Sequence, residues 1–265
     1  MVTKHDVFTL LESFGIRHDD VVTMHSSLRE VGPVEGGADG LLDALTEYLC
    51  DGLLLIPTHT WANVNAANPH FDVRSTVPCI GTLSRVAAFR KDAVRSLHPT
   101  HSLAVFGKNA REYVQGEEKS TTPTPVGGAL SRLYELNGKV LLVGVGHERN
   151  TYLHAVDERI DRPNRIAETG YTATITDWDG NTLQIPDYHP HFTKGLKNGS
   201  GLSEYFRNYK PALDAHNAVQ YGWLGNALVH CCDCRKMTDV VMRIWERADH
   251  DVCIGIQEIP EEWYL

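Results

Sequence analysis

Short apolar runs alternate along this chain with amphipathic segments of helical period. Residues 20–24 and 53–57 are apolar and rich in β-branched or leucine side chains, which predicts two buried strands. Residues 40–49 lie between them and predict an amphipathic helix with Asp39 as its cap. An opening helix is predicted over residues 6–14, with Thr3 or Asp6 as its cap.

The same succession continues through the first 165 residues. It predicts a helix over 81–89, a strand over 103–107, a helix over 130–136 and a strand over 139–145. This order is typical of βαβ units, whose functional loops lie at the carboxyl ends of the strands. We therefore expect functional residues at Ser26–Ser27 and at Thr58–Thr60.

The pattern changes beyond residue 165. Residues 172–178 alternate polar and apolar positions before the turn residues Asp179-Gly180-Asn181, so we expect antiparallel strands that join the main sheet. Residues 187–201 predict a loop, and residues 201–209 and 238–248 predict helices. The predicted fold is α/β, a three-layer α/β/α sandwich with a mixed, mostly parallel sheet and an antiparallel elaboration in the second half. We expect one domain over 1–265, with a core over about 1–165 and the elaboration over about 166–265.

Composition narrows the function classes. The 265 residues carry 25 basic and 34 acidic side chains, a formal net charge of −9, and 42% are hydrophobic. This charge argues against nucleic acid or an anionic membrane as partner and favours a cationic one. We expect a cytosolic protein, because no apolar run is long enough to span a membrane and the N-terminus has no signal-peptide core. Six cysteines are too few and too unevenly spaced for a disulfide scaffold, so reduced thiols are expected.

The strongest candidate for chemistry follows the predicted strand over 139–145. A helix beginning near Asn150 or Thr151 places His154 in its first turn, with Asp157 and Glu158 three and four residues on. A carboxylate beside an imidazole fixes its tautomer and raises its basicity, as a general base requires. The alternative is a capped helix with a surface histidine and ion-paired carboxylates.

Other polar segments give weaker signals. Ser26–Ser27 lacks the Gly-x-Ser-x-Gly elbow of hydrolases and suits either ligand binding or a simple turn cap, and residues 98–102 suit a binding loop or a turn. The run His230 to Cys234 lacks a second pair of zinc ligands, and His189-Pro190-His191 predicts at most weak chelation. No glycine-rich segment completes a nucleotide-binding motif.

Taken in order, seven segments of this chain resemble the aminoglycoside 3-N-acetyltransferase family. They are Met24-His25-Ser26-Ser27-Leu28, Val34-Glu35-Gly36-Gly37-Ala38, Gly52-Leu53-Leu54-Leu55-Ile56-Pro57-Thr58, His98-Pro99-Thr100-His101-Ser102, Thr124-Pro125-Val126-Gly127, Leu141-Leu142-Val143-Gly144-Val145 and Asn150-Thr151-Tyr152-Leu153-His154-Ala155-Val156-Asp157. They cover residues 1–165 densely and the remainder thinly.

The resemblance implies a three-layer fold, acetyl-coenzyme A as the donor and no metal. It implies that His154 is the general base, and that Ser26, Ser27, Leu28, Val34, His98 and Ser102 contact coenzyme A. Asp157 stands where the family usually has a glutamate, so orientation of His154 passes either to Glu158 or to a later carboxylate, for which Asp187 is the candidate.

The implied acceptor is a cationic small-molecule amine, with the 3-amino group of an aminoglycoside favoured. Carboxylates between residues 157 and 187 could attract such a polycation, although they also suit ordinary solvated turns. The elaboration over about 166–265 would then form the acceptor side.

Alternatives remain open. One is a zinc-dependent hydrolase that uses some of the histidines at 59, 98, 101, 154, 189 and 191. Others are a noncatalytic coenzyme A-binding relative and an acetyltransferase for a non-antibiotic amine. Whether the chain forms a homodimer also stays open, since Trp263-Tyr264-Leu265 suits docking either on the chain itself or on a partner.

Overall fold

The computed structural model describes residues 1–265. Its strands are β1 Val21–Ser26, β2 Leu53–Pro57, β3 His70–Asp72, β4 Val94–Arg95, β5 Leu103–Phe106, β6 Lys139–Val143, β7 Tyr171–Thr176, β8 Thr182–Tyr188, β9 Val219–Leu224 and β10 Ala227–Asp233. Its α-helices are α1 Lys4–Ser13, α2 Leu28–Val31, α3 Gly37–Tyr48, α4 Thr82–Ala87, α5 Ala110–Tyr113, α6 Tyr152–Arg159, α7 Lys210–Ala215 and α8 Cys234–Arg247. Short 3₁₀ helices at Glu117–Lys119, Ser131–Leu133, His147–Arg149, Lys197–Gly199, Leu202–Tyr209 and Glu261–Trp263 complete the chain.

Seven strands form one mixed sheet in the order β4-β5-β2-β1-β6-β10-β9. The mixed α/β character is confirmed, but the expectation of a mostly parallel sheet is wrong. Only β1 with β2 and β1 with β6 pair in parallel, and the other four pairings are antiparallel. The cause is that β4–β5 and β9–β10 are hairpins at the two edges. The second turns at Gly225-Asn226, where Gly225 has a φ of 58°, and this Gly-Asn dipeptide was a readable hairpin signal.

The main sheet is buried on both faces. Leu53 and Leu55 of β2 pack in one apolar cluster with residues of α6, α7 and α8. Leu54 and Ile56 pack on the opposite face with residues of α1 and α3. This arrangement explains why the central strands appear in the sequence as continuous apolar runs.

The strands after residue 165 do not all join the main sheet, which corrects our expectation. β7 and β8 pair through the Asp179-Gly180-Asn181 turn, as predicted, but they form a separate sheet in the order β3-β7-β8. The physical reason lies in the alternation of β7, which buries Ala173 and Ile175 and leaves the residues between them partly exposed. Such a strand covers a core on one face only, and here it closes a small apolar cluster with Phe71 and Tyr188.

Helix boundaries follow local signals in part. Thr3 caps α1 through a capping box with Asp6. Asp39 does not cap α3, because Gly36 is the cap residue and Asp39 lies in the first turn. The helix predicted over 130–136 is a short 3₁₀ helix, and the one predicted from 238 begins at Cys234, where Asp233 caps it.

Three smaller observations complete the fold. All six cysteines are free. No helix of the chain is sufficiently long and apolar to cross a lipid bilayer. At the C-terminus, Tyr264 is buried against the chain itself and its carbonyl accepts from Arg243, whereas Leu265 stays exposed.

Candidate active site

The carboxyl ends of three strands of the main sheet meet at one edge. β1 and β6 are joined there by the bond from the Ser27 N–H to the Val143 carbonyl, 2.9 Å long. The end of β2 is tied to the start of α6 by a 3.1 Å hydrogen bond between His59 Nε2 and Thr151 Oγ1. Thr151 occupies the N-cap position of α6, but its hydroxyl is hydrogen-bonded to His59 and does not cap the helix. Ser26–Ser27 and Thr58–Thr60 thus lie at one edge, next to the helix that carries His154.

Six histidines form a connected group at this edge. Ring centroids are 6.4 Å apart for His25 and His59, 4.6 Å for His59 and His101, 5.9 Å for His98 and His101, 5.2 Å for His101 and His191, and 4.1 Å for His154 and His191. We call these residues, His25, His59, His98, His101, His154 and His191, the histidine cluster. Distant segments supply its members, so only folding assembles it.

His154 lies on α6 between two aromatic rings. The His191 ring stacks on it with an interplanar angle of 24°, and Phe206 meets it edge-on with centroids 4.8 Å apart. Neither His154 nitrogen has a hydrogen-bond partner in the chain, and neither is sealed from solvent. Burial, with the nearby His191 and Arg165, lowers the pKa of His154 well below its ordinary value. His154 is therefore a neutral imidazole whose two nitrogens remain available.

No carboxylate orients His154, which corrects the expectation for Asp157. Asp157 Oδ2 accepts from Arg165 Nε at 3.0 Å, and both side chains are 2% exposed. Arg165 also binds Asp251 at 2.8 Å. We call these three residues the arginine network. Burial raises the pKa of Asp157 to about 6 despite the guanidinium, and its Oδ1 has no partner.

Glu158 orients a histidine, but not His154. Its carboxylate accepts from the Thr122 hydroxyl at 2.5 Å, from the Thr124 N–H at 2.7 Å and from the Thr124 hydroxyl at 2.6 Å. It also accepts from His191 Nε2 at 3.2 Å. Burial raises the pKa of Glu158, but these hydrogen bonds outweigh burial, and the pKa lies below its ordinary value. The carboxylate–imidazole pair of this edge is therefore Glu158 with His191.

Asp187 does not reach His154 either. Its carboxylate pairs with His189 at 3.0 Å, and its side chain is 72% exposed. The reason is a bulge in β8, because the span from Ile185 to Tyr188 has one residue more than the span of β7 with which it pairs. Tyr188 is fully buried against Thr100 and His98, and the bulge leaves Asp187 exposed. This part of the sequence hypothesis is wrong.

Two of the residues expected to contact coenzyme A are internal. Ser102 is 0% exposed, and its hydroxyl bonds with Thr58 Oγ1 at 2.8 Å and with the Thr58 carbonyl at 2.9 Å. His98 is 1% exposed, donates to the Thr122 carbonyl at 3.0 Å, and accepts the N–H groups of Thr100 and His101. The polar atoms of both side chains are hydrogen-bonded within the chain, so both residues support this edge of the sheet from inside.

The remaining expected contacts stay open to a ligand. Ser27 is the residue before α2, yet its hydroxyl makes no capping bond. Ser26, Leu28 and Val34 are partly buried, with Leu28 and Val34 packed against the core. Their role in binding remains a prediction.

Several histidines at this edge are potential metal ligands. No group of three or more His, Cys, Asp or Glu side chains is placed so that it could hold a metal ion. The rings of His154 and His191 stack face to face, so their nitrogens do not point at one centre. In the segment from His230 to Cys234, Cys231 and Cys232 lie on opposite faces of the main sheet.

His191 is the site residue that sequence reasoning missed. It appeared only in the weak His189-Pro190-His191 pattern and among the zinc alternatives. Its position depends on a bridge between residues 166 and 191 and on the Phe192 N–H donating to the Arg165 carbonyl at 2.9 Å. Neither contact has a local sequence signal.

Known proteins were compared with the chain. The family model described as "Aminoglycoside 3-N-acetyltransferase" matches residues 23–246. Aminoglycoside N(3)-acetyltransferase IV of Salmonella sp is 31% identical over 157 residues, which are 58% of this chain and only 58% of that relative.

Two solved structures show the same fold. A histidine-to-alanine variant of AAC(3)-IVa in complex with a gentamicin superposes with a TM-score of 0.77 at 24% identity, over 97% of this chain and 95% of that one. AAC-IIIb in binary complex with CoASH superposes with a TM-score of 0.76 at 21% identity, over 94% of this chain and 98% of that one. The family match over most of the chain, with the shared fold, shows that this chain belongs to the aminoglycoside 3-N-acetyltransferase family.

Proposed function

We propose that this protein transfers the acetyl group of acetyl-coenzyme A to a primary amine, with the 3-amino group of an aminoglycoside as the favoured acceptor. The observation that carries the proposal is the solvent-reachable, neutral His154 at the carboxyl edge of the sheet of a family member. A relative named as an acetyltransferase and a neighbouring structure in complex with CoASH support the donor.

The reaction needs a base because an ammonium group has no free electron pair. His154 serves as a base in direct transfer: a ring nitrogen takes a proton from the acceptor nitrogen as that nitrogen attacks the thioester carbonyl. The low pKa of His154 keeps the imidazole neutral at physiological pH, so that one ring nitrogen carries a free lone pair. Its two aromatic neighbours restrict the plane of the ring in place of a carboxylate.

Acetyl-coenzyme A, when bound, would supply an acetyl group, with the coenzyme A thiolate as the leaving group. Ser26, Ser27, Leu28 and Val34 would hold it, and the unused Ser27 hydroxyl fits this role. We withdraw His98 and Ser102 from the contacts because both are sealed.

The acceptor side is less acidic than the sequence suggested. Asp157 and Glu158 are committed to internal partners, and the Asp177 carboxylate closes the turn before β8 by accepting from the Asn181 N–H. Asp179 remains exposed and able to attract a cation, whereas Asp187 is exposed but paired with His189. We propose that the acceptor is cationic, with fewer carboxylates available to it than the sequence predicts.

We also propose the single domain over 1–265 and the three-layer arrangement. Both are supported by β9 and β10, which lie in the main sheet although they come from the second half, and by the helices packed on both sheet faces.

The decisive experiment measures thiol release from acetyl-coenzyme A across a panel of aminoglycosides and simple amines. We expect release with at least one aminoglycoside, and we expect His154→Ala to lose at least about 100-fold in kcat while it still binds coenzyme A. Turnover by His154→Ala comparable with the wild type would overturn the role of His154. Release with simple amines alone would move the acceptor to another class. Silence across the panel with intact coenzyme A binding would leave a noncatalytic binding protein.

A further inference from the structure

Two imidazoles stack at the candidate site, and they are held in different ways. His154 has two unpartnered nitrogens and no carboxylate. His191 has its Nε2 on Glu158, and Glu158 is itself fixed by three bonds from Thr122 and Thr124. A carboxylate-anchored imidazole is the usual arrangement of a general base. In this chain that arrangement belongs to His191.

We propose that His191, oriented by Glu158, is a second proton acceptor of the site, which removes the first proton from the incoming ammonium group. The proposal rests on the acetyl transfer proposed above and divides its proton transfers between two residues. His154 retains the second transfer.

The geometry assigns the atoms. Because Glu158 is an acceptor, His191 Nε2 carries the hydrogen and His191 Nδ1 carries the lone pair. Nδ1 makes no hydrogen bond within the chain and is not sealed from solvent, so an acceptor amine can reach it. The His191 side chain is 21% exposed, whereas the Glu158 side chain behind it is 7% exposed. In this pair the carboxylate that orients the ring is buried, and the nitrogen that accepts the proton is open to solvent.

Two proton acceptors match the stoichiometry of the reaction. The ammonium N–H bond breaks, and the proton passes to His191 Nδ1, whose positive charge lies next to the Glu158 carboxylate. The neutral amine then forms the C–N bond, and its nitrogen becomes positively charged again. His154 takes this second proton and delivers it to the thiolate as the C–S bond breaks. His191 returns its proton to water, so that ammonium and thioester become amide, thiol and one released proton.

The environment explains why one imidazole does not do both tasks. His154 has no anion within ion-pairing distance, and a positively charged neighbour disfavours its protonation. The titratable groups that face His191 are Glu158 and His154 on α6, His59 after β2, and His98 and His101 before β5. Of these, only Glu158 is negative, and it lies on the side of Nε2.

The kinetic test uses His191→Ala and His154→Ala with the best acceptor of the amine panel. At neutral pH we expect His191→Ala to lose about 100-fold in kcat/KM, in the range of general-base catalysis. One pH unit above the pKa of the acceptor ammonium, the amine is already neutral, so the loss in His191→Ala should shrink to within about fivefold of wild type. The loss in His154→Ala should persist at both pH values.

The matched control is His189→Ala, two residues upstream on the same loop, which also removes a histidine from a carboxylate. We expect its kcat/KM to stay within about twofold of wild type. A loss in His191→Ala that is equal at both pH values would show a structural role and overturn the proposal. Equal losses in His189→Ala and His191→Ala would do the same. Thermal unfolding of each variant separates misfolding from chemistry.

A second readout needs neither donor nor turnover. The ring ¹⁵N resonances of His191 in the free protein, assigned with His191→Ala, are recorded by NMR. We expect them to show the hydrogen on Nε2 and the lone pair on Nδ1, because the Glu158 carboxylate accepts from Nε2. A hydrogen on Nδ1 would overturn the proposal. If the wild type acetylates no amine, the proposed function fails, and this measurement still decides whether Glu158 orients His191.

Discussion

Asp157 and Glu158 are consecutive carboxylates on α6, yet they belong to two different regions of the molecule. Asp157 faces the arginine network, where it is 1% exposed and paired with Arg165. Glu158 faces the histidine cluster, where it anchors His191 and leaves a ring nitrogen open to solvent. Successive helix positions differ by about 100° in direction, so neighbours on one helix contact different surroundings.

The difference teaches how one helix serves both stability and chemistry. In the arginine network one guanidinium bridges two carboxylates, and the side chains of Asp157 and Arg165 are almost closed to solvent. The histidine cluster has six imidazoles beside one carboxylate, which bonds His191 alone, and several ring nitrogens lack partners. We therefore expect the histidine cluster to be the main acid-sensitive region.

The largest expected effect is the loss of stability in acid. Burial lowers the pKa of His25 and His98 to about 4, and it lowers those of His59, His101 and His154 well below the ordinary value. An unfolded chain would protonate these rings below pH 6.5, whereas the folded chain does not, so stability falls as pH falls from 6.5 toward 4.

Two carboxyls act in the opposite direction. Burial raises the pKa of Asp157 to about 6 and that of Glu117 to about 7, so the folded state holds protons that the unfolded state would release. The imidazoles outnumber them, so we expect a net loss of stability between pH 6.5 and pH 4. Urea unfolding at several pH values measures it.

His147, which lies outside the histidine cluster, provides a further test of how stability depends on pH. Burial lowers its pKa to about 4, and neither of its nitrogens has a partner. His147→Leu should therefore remove one acid-titrating group without loss of a hydrogen bond and flatten the dependence of stability on pH. A flat profile in the wild type would refute the expected acid sensitivity.

Arg165→Met should have the next largest effect. It leaves Asp157 and Asp251 next to each other without their cation, and removing one partner of a buried pair costs about 3–5 kcal/mol. Unfolding in urea at neutral pH measures the change. The matched control is Arg17→Met, whose ion pair with Asp19 is mostly exposed and should change stability by less than about 1 kcal/mol. Equal effects of the two substitutions would contradict the distinction between the regions.

The smallest expected effect is that of Asp187→Asn. Because Asp187 pairs with His189 at the surface, we expect stability to change by less than about 0.5 kcal/mol and kcat/KM by less than about twofold. Steady-state kinetics with the best acceptor checks this. A loss on the order of 30-fold or more would show that β8 rearranges during the reaction and brings Asp187 to His154.

Much of the sheet edge was predictable from local patterns. The apolar runs that became β1, β2 and β6 are buried on both faces, so their period and length identify them without help from the rest of the chain. The place of His154 near this edge was predictable from its short separation in sequence from the end of β6. The place of β7 and β8 was not predictable, because alternation specifies that a strand covers one core but not which core.

The sequence by itself determined the order of the elements, the edge at which the parallel strands end and the spacing of His154, Asp157 and Glu158 on one helix. Only the tertiary structure decided that Asp157 pairs with Arg165 and that Glu158 pairs with His191. Arg165, Thr122 and His191 come from segments whose approach to α6 depends on packing of the whole chain, and no local period records it. A helix fixes the directions in which its side chains point, and the fold supplies what they meet.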